Sequence, residues 1–148
     1  MNGMNEELQI EELIRNGGFR LRRDFGSYML DDREISAEEF DELLNRVLIY
    51  LDNCEEIDKY DYSVGEEKWH TVGLYRCPGI GKVGVVMLGT EGVDVITVYS
   101  GEGAWRSAKN DAIDDIQSTI EFLESIENTD ELLNYLNDAL DEVTHMPE

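Results

Sequence analysis

Leu8, Leu13 and Ile14 give one apolar side to a stretch that predicts a short helix over about Asn5 to Arg15. Gly17-Gly18 ends it, because glycine accepts the left-handed conformation at a helix C-terminus. Phe19 to Phe25 alternates in part and predicts a strand, and Gly26-Ser27 turns it into a second, Tyr28 to Leu30. The next helix is better marked. Ser36 and Glu39 are spaced as a capping box, and Phe40, Leu43, Leu44, Val47, Leu48 and Leu51 then repeat at helical spacing. Glu55 to Glu67 is acidic and tyrosine-bearing and predicts a loop with room for one short strand.

A β-meander follows, with strands Trp69 to Arg76, Lys82 to Leu88 and Val93 to Tyr99. Pro78-Gly79-Ile80-Gly81 and Gly89-Thr90-Glu91-Gly92 are the turn-forming clusters between them. Val83 to Leu88 is apolar on both faces, as in a central strand covered on both sides. Ser100 to Gly103 breaks the sheet. A long helix is then predicted from about Ser107 to Ile126, with Ile113, Ile116, Ile120, Leu123 and Ile126 as its stripe. A last helix starts near Asn128 or Thr129, Glu131 being placed to complete a cap, with Leu132, Leu133, Leu136, Ala139, Leu140 and Val143 inward. This order predicts an α+β fold: an antiparallel meander of three to five strands packed by helices, two of them C-terminal.

The length, 148 residues, fits a single domain over 1–148. No apolar run approaches the roughly 18 residues of a membrane span. The polar, acidic N-terminus lacks the cationic and apolar regions of a secretory signal, which points to the cytoplasm. Cys54 and Cys77 lie outside any CxxC spacing and read as reduced thiols, or at most one incidental pair.

Charge changes the picture more than any motif. The chain has 34 acidic and 12 basic residues, a net charge of −22. Residues 1–74 hold 19 acids and 8 bases and residues 75–148 hold 15 and 4, so each half is net −11. Such a balance argues against direct binding of nucleic acid or of an anionic membrane, both of which need cations. After Asn110 there are 12 acids and no Lys or Arg. Asp111, Asp114, Asp115, Glu121 and Glu124 fall on the long helix, and Asp130, Glu131, Asp138, Asp141 and Glu142 on the last one. They are expected to project away from the apolar stripes. An ordinary solvated helix interleaves the two signs, since Glu–Lys pairs one turn apart stabilise it by a few tenths of a kcal/mol. These helices forgo every such pair, so their carboxylates are the expected partner-binding residues. Tyr60, Asp61, Tyr62, Glu66 and Glu67 form a possible secondary contact, aromatic anchors within a negative rim. Arg15, Arg20, Arg22, Arg23 and Arg33 crowd the first 33 residues and are expected to pair with neighbouring acids.

Catalytic motifs fail on spacing. Gly79-Ile80-Gly81-Lys82 is no phosphate loop: GxxxxGK[ST] needs Gly where Arg76 stands and Ser or Thr where Val83 stands. His70 and His145 are far apart, and nothing local activates Cys77 as a thiol beside His70. The expectation is therefore a non-enzymatic protein without metal or cofactor. Its expected partner is a basic nucleic-acid-binding protein, and it is a monomer or homodimer. In charge, size and absence of catalytic motifs the chain resembles phage-encoded acidic anti-restriction and anti-CRISPR proteins, a likeness of composition only. It implies an inhibitor that mimics nucleic acid and blocks a basic cleft. The alternatives are an immunity protein against a basic nuclease toxin and an acidic secretion chaperone or adaptor.

Overall fold

A computed structural model describes residues 10–61, 69–90, 93–125 and 129–146. Residues 10–15 form helix α1; the earlier part of that predicted helix, with Leu8, lies outside the described residues. Next come β1 (Gly18–Asp24), β2 (Ser27–Leu30), β3 (Arg33–Ile35), α2 (Ala37–Asp52) and β4 (Glu55–Asp61). The chain continues through β5 (Trp69–Cys77), β6 (Gly81–Thr90), β7 (Val93–Ser100), α3 (Ala104–Glu124) and α4 (Asp130–Thr144). Half of the expected capping box is present at α2: the Glu39 backbone N–H donates to Ser36 Oγ at 3.1 Å, while the Glu39 carboxylate accepts from the Ser36 hydroxyl at 3.4 Å and not from its backbone N–H.

The strands make one seven-stranded antiparallel sheet in the order β3-β2-β1-β7-β6-β5-β4. That exceeds the expected three to five for two reasons. β3 has only three residues and is too short to show a period. β4, expected as a loop with room for one short strand, is a seven-residue edge strand whose polar residues point both ways, so no alternation marks it. The sheet is two meanders joined where β1 pairs with β7, from Gly18↔Tyr99 to Asp24↔Val93. Gly18 makes this seam possible. Its φ is +109°, and a Cβ there would lie 1.7 Å from the Val98 carbonyl oxygen.

Alternation sends side chains to two separate cores. Phe19, Leu21, Val83, Val85, Ile96 and Val98 pack with Ile10 and Ile14 of α1 and Phe40, Leu43, Val47 and Leu51 of α2. Val72, Leu74 and Val86 meet Trp105, Ala108, Ala112 and Ile116 of α3 and Leu136, Ala139 and Val143 of α4. β6 therefore feeds both clusters, as its two-sided apolar run predicts. The molecule is a helix–sheet–helix arrangement of three layers.

Two expectations for the C-terminal helices are corrected. The sheet-facing line of α3 is Ala104, Trp105, Ala108, Ala112 and Ile116, because small residues let the helix approach closely. Ile113, Ile120 and Leu123 are only partly buried against the same cluster, and Ile126 lies outside the described residues. Thr129 does not cap α4 through its side chain; its hydroxyl donates to the Leu123 carbonyl at 3.0 Å, folding α4 back on α3. The approach of α3 is tightest at Gly84, where a Cβ would sit 2.9 Å from both Ala104 O and Ala108 Cβ. Gly84→Val should lower the unfolding free energy by about 1–3 kcal/mol in urea denaturation, the usual scale of overpacking. An unchanged midpoint would mean that α3 is free to ride outward.

Cys54 and Cys77 are joined in a disulfide with Cα atoms 4.7 Å apart, which corrects the reading as reduced thiols. The bond extends the β4–β5 ladder one pair beyond Glu55↔Arg76, and Cys77 is buried in the first core. It closes a loop of 23 residues in sequence separation. Reduction with a dithiol should lower the unfolding free energy by about 3 kcal/mol on the loop-closure scale, read as a leftward shift of the urea curve.

Candidate functional site

The carboxylates singled out in α3 and α4 divide into two populations. On α4 the buried residues are Leu136, Ala139 and Val143, and Asp130, Glu131, Asp138, Asp141 and Glu142 are all exposed. At 100° per residue these acids fall on the helix side opposite the core. They span positions 130–142, about 18 Å of axis at a rise of ~1.5 Å per residue. Asp114, Glu121 and Glu124 of α3 are exposed as well.

Asp111 and Asp115 do not project away from the core; they are half-buried and face the sheet. The Tyr99 hydroxyl donates to Asp111 Oδ2. His70 Nδ1 lies 2.8 Å from Asp115 Oδ2, with His70 itself only 8% exposed. The two acids sit one turn apart beside Ala108 and Ala112. They fix α3 on β5 and β7, so their loss would disturb packing before it disturbed a contact surface.

α3 lies over β5, β6 and β7. Beside it, toward β1, an open groove of about 320 Å³ is floored by Arg20, Arg22, Val95 and Thr97 and walled by Asp111, Asp114, Asp115 and Ser118. Its polar groups are largely satisfied within the chain. Arg20 Nε donates to Thr97 Oγ1 at 3.3 Å, and Arg22 pairs with Asp24 at 2.6 Å. On the opposite face Arg23 pairs with Asp94. Of the N-terminal arginines, Arg22 and Arg23 pair with acids as expected, whereas the Arg20 side chain is held by a threonine hydroxyl.

Lys109 is the last cation of the chain, and it is buried. Its Nζ donates to the Met146 carbonyl at 2.8 Å, just past the end of α4, where a positive charge suits the exposed carbonyls of a helix C-terminus. It binds α4 to α3, so its charge is turned inward and away from the outer acids of α4. Pattern reading missed it because a lone lysine in a helix usually faces water.

At the other edge of the sheet the structure brings part of the secondary set to α4. Tyr60 of β4 packs against the second core. Burial pushes its hydroxyl up from the usual tyrosine value, and the charges of Tyr135, Glu142, Asp138 and Asp61 push in the same direction. Tyr135 is raised by burial and then by Asp61. Tyr60 and Asp61 therefore share one negative neighbourhood with Asp138 and Glu142. Tyr62, Glu66 and Glu67 lie outside the described residues.

The remaining chemistry candidates resolve simply. His70 faces α3, whereas Cys77 belongs to the first core on the opposite face and is disulfide-bonded, so they form no nucleophile pair. Gly79 and Ile80 lie in the β5–β6 hairpin turn, closed by Ile80 N–H to Cys77 O at 3.1 Å. Among the described residues no group of three or more His, Cys, Asp or Glu side chains is placed to hold a metal ion. Among them, too, no helix is long and apolar enough to cross a membrane. No family model, curated protein or solved structure matches the chain.

Burial, the hydrogen bond to Asp111 and the charge of Asp111 push the Tyr99 hydroxyl from 10.0 up to about 12, against a smaller pull from Arg20. A tyrosine raised on folding stays protonated where the unfolded chain's has already ionised. Its contribution is therefore complete below pH 10 and is lost as pH climbs toward about 12. Tyr50, Tyr60, Tyr75 and Tyr135 are raised too, burial being the first cause in each. Urea midpoints should fall across this alkaline window, and Tyr99→Phe should make the fall shallower without abolishing it. An equally steep fall in the variant would remove Tyr99 from the account.

Proposed function

We propose that this protein is an acidic inhibitor that imitates nucleic acid and occupies the basic cleft of a nucleic-acid-acting protein. The observation that carries the reading is the outer side of α4: Asp130, Glu131, Asp138, Asp141 and Glu142 exposed together on one rigid helix, with Lys109 turned inward. These acids number one per roughly 4 Å of axis at the helical rise, close to the ~3.4 Å per charge of one strand of a duplex. They are bunched at the two ends of the stripe, so the resemblance is in charge density and not in regular spacing. A helix fixed by packing presents its charges without further ordering, which reduces the entropy lost on binding. The field of a chain with net charge −22 speeds encounter with a cationic surface.

An acidic chaperone would instead offer a continuous apolar patch. The exposed large apolar side chains come from five places in the chain: Phe25 in the β1–β2 turn, Leu48 and Ile49 on α2, Ile57 on β4, Phe122 on α3, and Leu132 and Tyr135 on α4. An immunity protein against a basic nuclease would work by the same physics, with a toxin as its target.

The test is capture from native host lysate at low salt, elution by a salt ramp and competition with duplex DNA or RNA. A basic nucleic-acid enzyme should elute late, and its affinity should fall steeply and linearly with the logarithm of salt concentration. Replacing Asp138, Asp141 and Glu142 by their amides should weaken binding by about tenfold or more and flatten the salt slope, with far-UV circular dichroism unchanged. A partner that binds equally at high salt, or together with nucleic acid, would overturn the reading.

A further inference from the structure

We propose that the outer edge of β4 accepts an extended, lysine- and arginine-rich segment of a partner protein as an eighth strand. The inference rests on the reading above that the partner is basic, and it adds the mode of contact. β4 ends the sheet: its one ladder is with β5, and among the described residues no strand pairs with its other edge. A seven-residue strand in that position presents a row of backbone donors and acceptors outward. Such edges bind extended peptides through main-chain hydrogen bonds, with side chains supplying selectivity.

The side chains here select by charge. Glu55, Glu56, Asp58 and Asp61 lie in this one strand, with Lys59 the lone cation among them. Asp58 and Tyr60 pair with Leu74 and Val72, which places them on the face that carries α3 and α4. Glu56 and Asp61 pair with Tyr75 and Thr71, on the opposite face. An incoming strand would therefore meet carboxylates above and below the sheet, the second side shared with Lys59, which lies 3.9 Å from Glu56. Asp138 and Glu142 of α4 add to the first side, and Tyr135, 40% exposed, offers an aromatic surface beside them.

The same acids exclude the commonest wrong partner. A second copy of β4 laid against the first would bring together two strands that each carry four acids and one lysine, a net repulsion. A basic strand meets the reverse situation. One set of residues thus opposes self-association and favours a cationic segment. The irregularity between Glu56 and Asp58 interrupts the β4–β5 ladder near its start. The longer regular stretch, from Asp58 to Asp61, is where pairing should be strongest.

The test uses the whole chain and two blocked synthetic peptides of equal charge: one alternating arginine and valine, the other the same sequence N-methylated at alternate residues. Affinity is measured at low salt, and amide hydrogen exchange is followed by NMR. The unmodified peptide should protect amides of β4 and bind about tenfold or more tightly than the N-methylated one, which lacks the strand hydrogen bonds. Glu56→Lys should weaken binding of the unmodified peptide while leaving the urea midpoint in place. Equal affinity of the two peptides, or protection confined to α4, would overturn strand addition and leave the acidic docking surface intact. Failure of both peptides to bind would overturn this inference and count against the basic-cleft reading together.

Discussion

Pairing of β1 with β7 is the interaction on which the rest of the molecule depends. It joins residues 18–24 to residues 93–99 across about half of the chain and turns two local meanders into one seven-stranded sheet. Without it each half would leave an apolar sheet face or helix stripe without its full cover. The constraint is narrow at its end. Gly18 must take a positive φ directly against the Val98 carbonyl, and no side chain fits there. Seven consecutive pairs must then form over a long closing loop, so the seam costs considerable chain entropy before it returns stability.

Once the sheet exists, its two faces need separate helical layers, and this decides where the charge lies. α1 and α2 fill one face. α3 fills the other through alanines and Trp105, with Gly84 allowing its approach. α4 touches the second core through Leu136, Ala139 and Val143 and is otherwise turned outward. A helix held this way can carry like charges on its far side, because packing and not surface pairing maintains it. Lys109 completes the arrangement from within, at the end of α4. The self-repulsion of the outer acids is thus borne by the core.

Much of this architecture can be read from residue patterns where each residue faces one environment. The Ser36 cap, the α2 repeat and the doubly apolar β6 belong to this group, because capping chemistry and burial period are local properties. β4 is hidden because its side chains are largely exposed on both faces of the sheet, so no apolar–polar alternation marks it. Asp111 and Asp115 are hidden for another reason. They have the composition of a solvated helix face, and only the sheet beneath supplies Tyr99 and His70 as partners. The disulfide is likewise a consequence of β4–β5 register, which spacing along the chain does not reveal.

That difference between acids narrows the candidate site more than the total charge does. A carboxylate with an internal donor is part of the folding energy, and removing it leaves a buried partner unsatisfied. A carboxylate that faces water with no cation nearby adds little to the fold and raises repulsion. Asp111 and Asp115 belong to the first kind; the exposed Asp130, Glu131, Asp138 and Glu142 of α4 are nearer the second, while Asp141 lies 3.3 Å from His145 Nδ1 one turn on. The acids with least structural work are therefore the ones whose arrangement calls for an external explanation. They lie on α4, whose Asp138 and Glu142 share the charge neighbourhood of Tyr60 and Asp61 on the edge strand. Helix face and strand edge, remote in sequence, thereby become one surface by way of the β4–β5 ladder and the packing of α4 against α3.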